Sequence, residues 1–199
     1  RSHILYFPFG HDSGRNIDLH AFIPRLKELL AARGGLDGAH DAKFIRIVLQ
    51  RRGFGEVPFG FDTMLAAYVL DPGGKSYDIE VLSDLHLKRR IQSMSEIAGK
   101  GRDKKTFAEL DIDEAARFSG SRAEAVAALA GHFRPRISEE DLMPLYTGLE
   151  MPLLEVLADM ERSGVRLDPG ILGEMSENLA RSLSGLEDKI AESAGERFN

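Results

Sequence analysis

The chain has no cysteine among its 199 residues. A disulfide framework and thiolate metal centres are thereby excluded, and a reducing compartment suits such a chain. No apolar run approaches the ~20 residues that a membrane-spanning helix needs. No charged and apolar leader opens the sequence. Nor is there an excess of basic charge, because 26 lysines and arginines face 32 aspartates and glutamates, for a net charge of −6. That balance argues against a dedicated polycationic nucleic-acid binder and leaves only local basic patches. No internal repeat or low-complexity tract is visible. An initiating methionine is also missing. The chain starts at Arg1 and passes at once into Ile4-Leu5-Tyr6-Phe7, as expected of a piece cut from a longer protein.

What is present is ordinary for a globular protein: 43% hydrophobic and 29% charged residues, enough for a sizeable core. The length suits one large domain, or a domain with part of a second. Residues 3–9 are β-prone and end at Pro8 and Gly10, which predicts a strand. His11-Asp12 follows in a Gly/Ser loop and reads as a turn rather than a metal site. Apolar spacing predicts a helix from Leu19 to Arg33, with Pro24 confined to its first turn and regular helix starting near Phe22. A short extended piece over 36–41 and a helix from Ala42 to Arg52 come next. Asp62 reads as the N-cap of a helix ending at Leu70, and Asp78 as the cap of one ending at Leu87. A helix is expected from Ile112 to Ala130, with a possible bend at Gly120. Phe133 to Ile137, with Pro135, reads as a break, so a boundary is placed near Arg134 to Glu140.

The last quarter encodes two amphipathic helices. Pro152 stands near the start of the first. Ser163-Gly164 forms the turn, and Asp168-Pro169 opens the second with a capping carboxylate and a proline at the first helical position. Leu172, Met175, Leu179, Leu183, Leu186 and Ile190 make one apolar stripe, and Gly195 closes the helix.

The stretch GLEMPLLEVLADMERSGVRLDPGIL resembles the entry to the polymerase domain of bacterial family A DNA polymerases. Ala42-Lys43-Phe44, the run from Phe61 to Leu70 with Tyr77 to Leu82, and Glu96 to Gly101 are similar to that family's 3′→5′ proofreading exonuclease domain. The resemblance implies an α/β chain with a ribonuclease H-like exonuclease fold, truncated at its N-terminus, over residues 1–137. The mostly helical start of the polymerase domain would follow over 138–199. It also implies DNA and the remainder of the polymerase chain as partners, no membrane, a cytoplasmic location, and Mg²⁺ as cofactor of the parent polymerase but of no site in these residues.

A two-metal exonuclease needs several carboxylates converging on two cations. The family's Asp-x-Glu strand has no counterpart in this sequence and would lie before Arg1. Its next ligand is an aspartate directly after a Lys-aromatic pair, and here Lys43-Phe44 is followed by Ile45. Its tyrosine with an aspartate one helical turn later corresponds to Phe118 and Arg122. Isoleucine offers no lone pair, phenylalanine no hydroxyl, and arginine a fixed charge that opposes a divalent ion. Ile45, Phe118 and Arg122 are therefore expected to be vestigial exonuclease positions, with no catalytic or metal-binding residue. Glu124 is the one nearby carboxylate that a relocated site would use. Lys100, Arg102, Lys104 and Lys105 form the loop where DNA contact is first expected, whereas Lys88-Arg89-Arg90 reads as a solvated run. Two competing readings are an active exonuclease with relocated ligands and a non-enzymatic helical interaction module.

Overall fold

The structure is a computed structural model that describes residues 3–99, 101 and 104–196. It divides into two compact units, Arg1–Arg162 and Ser163–Asn199. The first unit carries α1 (Leu19–Arg33), α2 (Ala42–Arg51), α3 (Thr63–Leu70), α4 (Ile79–Leu87), α5 (Met94–Ala98) and α6 (Ile112–Glu139). A last helical run follows, made of α7 (Met143–Leu145), a π-helical turn (Tyr146–Glu150) and α8 (Met151–Ser163).

Local chemistry sets most of these ends. The Asp18 carboxylate accepts the His20 N–H at 2.9 Å and starts α1, and Gly34 ends it in the left-handed region at φ 75°. Pro24 lies inside α1, and regular helix begins at Leu19 rather than near Phe22. The proline only removes the bond to the His20 carbonyl, close enough to the N-terminus for the cap to hold the first turn.

The core is a helical layer. Ala66, Ala67 and Val69 of α3 and Ile79 and Leu82 of α4 pack with Leu129, Phe133 and Ile137 of α6, joined by Phe61 and Tyr146. This corrects the expected break at 133–137. Helix α6 runs through Pro135 to Glu139, because Phe133 and Ile137 are both fully buried. Burying two large side chains, at ~1.5–3 kcal/mol each, outweighs the ~3 kcal/mol a mid-helix proline costs. Gly120 likewise sits in unbroken helix, where a Cβ would come 3.4 Å from the Ile4 side chain. Compactness changes at Arg162/Ser163, whereas the boundary expected from the resemblance falls at 137/138.

The expected sheet is not present among the described residues. Residues 3–9 form no strand: the Pro8 carbonyl accepts the Ile17 N–H at 2.8 Å, but a strand needs a ladder of such bonds to a neighbour. Sheet-like pairing occurs elsewhere, as two isolated parallel bridges, Leu36 with Phe59 and Ala39 with Asp62. Leu36 N–H donates to Pro58 O at 2.9 Å and Ala39 N–H to Phe61 O at 2.8 Å. Gly35 makes this approach possible: its φ is 119°, and a Cβ there would stand 2.3 Å from the Pro58 carbonyl oxygen.

The π turn has a local cause. Pro152 has no N–H to offer the Gly148 carbonyl, and its ring would crowd that oxygen. The helix widens, and Met151 N–H reaches back five residues to the Tyr146 carbonyl.

The second unit contains α9 (Pro169–Ala194). Asp168 caps it by accepting from Gly170 N–H at 2.9 Å and Ile171 N–H at 3.2 Å, and Gly195 closes it at φ 81°. Its stripe from Leu172 to Ile190 is half or more exposed at every position, as a lone helix cannot bury its own apolar face.

Candidate functional site

Asp62 is the best-connected side chain in the region where the resemblance directs attention. It is fully buried. Its carboxylate accepts from Met64 N–H at 2.8 Å and Leu65 N–H at 3.4 Å, at the start of α3. It also accepts from Ala42 N–H at 2.7 Å and Asp41 N–H at 3.3 Å, at the start of α2. One side chain thus serves two helix N-termini. Tyr146, at the head of the π turn, receives the Asp62 N–H at 2.6 Å and donates its hydroxyl to the Asp62 carbonyl at 3.1 Å. Burial pushes the Asp62 carboxyl above the usual carboxylate range, opposed by the Ala42 and Met64 N–H donors. Burial also drives the Tyr146 hydroxyl well above its ordinary range. These groups are committed to structure.

His40 lies beside this cap. Its Nδ1 is 2.9 Å from Thr63 Oγ1, whose own proton goes to Ala39 O at 3.1 Å. A hydroxyl has one proton to give, so Nδ1 is the donor and Nε2 is the nitrogen left to take a proton. Burial holds the imidazole below its ordinary range. The carboxylates of Asp62, Asp41 and Glu80 pull it back up, and Arg122 pushes it further down. Folding therefore favours the neutral ring. Its contribution is complete above the ordinary histidine value of ~6.5 and is lost as pH falls through the lower folded value. Urea melts at about pH 7.5 and pH 5 should show a smaller acid loss for His40→Gln than for the unsubstituted chain. His86, also depressed chiefly by burial, keeps the slope from vanishing. Equal losses in the two chains would remove His40 from this account.

Ile45, Phe118 and Arg122, the three positions expected to be vestigial, all make structural contacts. Ile45, on α2, packs against a cluster of Ala39, Ala42 and Leu154. Phe118 is buried on α6, and the Arg122 guanidinium stacks over its ring at 4.4 Å. The helical spacing of four residues makes this stack possible. Arg122 Nη2 also pairs with Glu80 of α4 and lies 3.4 Å from Gln92 O. Both side chains of that pair are about three-quarters buried, so the cation next to Phe118 is already neutralised by protein. Glu124 is paired with Arg89. Among the described residues, no three His, Cys, Asp or Glu side chains converge as a metal site.

The other sequence candidates separate in the same way. His11 is buried between Tyr6 Oη, 2.7 Å from Nε2, and the Leu110 carbonyl, 3.2 Å from Nδ1, and is a packing residue. Lys104 and Lys105 are exposed, and Lys105 N–H donates to Ala98 O at 2.8 Å. Lys100 and Arg102 lie outside the described residues. Arg90 pairs with Glu96. His40, Glu80 and Tyr146 escape sequence reading because their partners lie 23, 42 and 84 residues away. No local pattern marks such pairs.

Comparison with known proteins places this geometry. Residues 14–129 match the family described as DNA polymerase I, ribonuclease H-like domain. The chain is 35% identical to DNA polymerase I of Rhizobium leguminosarum, over 98% of this chain and 20% of that protein. It is 31% identical to DNA polymerase I of Chloroflexus aurantiacus, over 98% of this chain and 21% of the relative. Among solved structures, it is similar to the polymerase domain of Pol1 from M. smegmatis, determined with a DNA primer-template and dNTP. That match has a TM-score of 0.64 and 25% identity, and covers 88% of this chain and 27% of the other. The chain spans about a fifth of the length of the two DNA polymerase I relatives.

Proposed function

Because the chain belongs to the DNA polymerase I family, through its ribonuclease H-like domain, we propose that it is a segment of a DNA-directed DNA polymerase whose proofreading centre is lost. The parent acts on DNA in replication and repair, in the cytoplasm. Residues 1–137 are the remnant of an α/β, ribonuclease H-like exonuclease domain that now supports the polymerase. Residues 138–199 are the first helices of the polymerase domain, and the leucine stripe of α9 meets the remainder of that chain. Lys104 and Lys105 are the described cations that would skim DNA.

The observation that carries this reading is the Arg122–Glu80 pair stacked on Phe118. It puts a paired cation where the family has a ligand, and it engages a nearby carboxylate. The residues present do not fit a Mg²⁺ centre. The Mg²⁺ expected of the parent polymerase would be held by other residues. Relocated ligands find no support, since Glu124 is engaged by Arg89 and Asp62 by backbone donors.

The test uses the parent polymerase, 5′-labelled single-stranded DNA, and Mg²⁺ or Mn²⁺. The expected result is primer extension with no metal-dependent shortening from the 3′ end. Clear shortening would overturn the loss of proofreading.

A further inference from the structure

We infer that α2 is the docking face for α8, with Ile45 and Arg46 as its anchors, so that the position of a family metal ligand now holds one of the first helices of the polymerase domain. This rests on the reading of residues 138–199 given above. Arg46 has only 7% of its side chain exposed. A guanidinium cannot shed its charge, so burial at this depth demands partners. Nη2 pairs with Glu56, in the loop after α2, and Nη1 with Glu155 of α8 at 3.3 Å. One turn earlier, Lys43 pairs with Glu161, also on α8. That exposed pair adds little energy but fixes which turns of the two helices face each other.

The apolar contact lies beside these charges. Leu154 is 6% exposed and sits with Ala39 and Ala42, against which Ile45 packs. Ala158, one helical turn on, is fully buried as well, whereas Leu153, Val156, Leu157 and Met160 are far more open, from 39% at Leu157 to 62% at Met160. The buried face of α8 is therefore made by Leu154 and Ala158, and Leu154 lies in the cluster that Ile45 closes. A carboxylate at position 45 would have to lose its water against Leu154 and Ala42, which is costly without donors. Metal ligation and α8 docking are thus opposed chemical demands on one residue.

Hydrogen–deuterium exchange on the parent polymerase tests this. In Ile45→Asp, the amides of residues 151–163 should exchange about tenfold faster or more, while those of α3 and α6 stay within about threefold. Ile45→Val should stay within about threefold throughout. If Ile45→Asp does not fold, Leu154→Ala decides, and exchange should rise by about tenfold in α8 and in residues 42–45 together. Unchanged α8 exchange in the folded variant, or acceleration spread equally over α3 and α6, would overturn the docking role. The nuclease assay on the same samples is independent. Trimming alongside a responsive α8 would defeat the loss of proofreading and leave the dock standing.

Discussion

Asp62→Ala is expected to lower the unfolding free energy by about 3 kcal/mol, the largest stability loss among single substitutions at the candidate site. Losing the N-cap of α3 costs ~1 kcal/mol, and the same carboxylate also accepts from Ala42 N–H at the start of α2, whose own N-cap is Asp41. Buried donors left without an acceptor cost a further ~1–3 kcal/mol. The Ala42 and Met64 N–H groups are the two with the shortest bonds to lose, at 2.7 and 2.8 Å. One term works the other way. Burial disfavours the ionised carboxyl, so removing it recovers some desolvation energy and holds the sum near 3 rather than about 4 kcal/mol. Asp62→Asn keeps an acceptor oxygen and should lose about half as much. Urea unfolding of both variants is the measurement. A loss below about 1 kcal/mol for Asp62→Ala would mean that the two helix starts find other acceptors.

The second large effect concerns the metal site proposed to be lost. Returning aspartate to positions 45 and 122 together is expected to cost about 3 kcal/mol or more and to restore no trimming. Removing Arg122 strips Glu80 of its partner in a largely buried place, and a new carboxylate then faces Glu80 with like charge. The stack on Phe118 is lost as well, worth ~0.5–1 kcal/mol. Two carboxylates fall short of the several that two cations require, unless a strand before Arg1 adds the Asp-x-Glu pair. Trimming of labelled single-stranded DNA with Mn²⁺, measured beside urea unfolding, checks both halves. Revived trimming would show that the other ligands persist in the parent, and it would recast the loss of proofreading as the effect of these two changes alone.

The helices and their ends are readable because caps are local devices. As caps of α3, α9 and α1, Asp62, Asp168-Pro169, Gly34 and Gly195 act within four residues of themselves, so spacing alone finds them. The prolines are less readable. Pro24 and Pro135 look like breaks from their chemistry, yet the burial of Phe133 and Ile137, set by distant α3 and α4, decides the second case. The strand expected at 3–9 fails for the same kind of reason, since pairing is supplied from elsewhere in the chain. At the site, the sequence exposes what Ile45, Phe118 and Arg122 lack. It does not expose what they have gained, because Glu80 and Leu154 approach them only in the folded chain. The family match over residues 14–129 explains why the motif reading reaches the right neighbourhood despite the altered residues.

The π turn at Tyr146–Glu150 makes the run from Met143 to Ser163 a matter of phase. Each residue of an α-helix advances the side chains by about 100° around its axis. A turn that holds one more residue than the α-helical pattern sets back everything after it by that angle. Tyr146 seeks Asp62 on one side of this turn, and Leu154 and Glu155 seek α2 on the other. The two demands are compatible only with the extra residue in place. The turn therefore acts like the offset in a camshaft: its length, more than its composition, times the two contacts to each other.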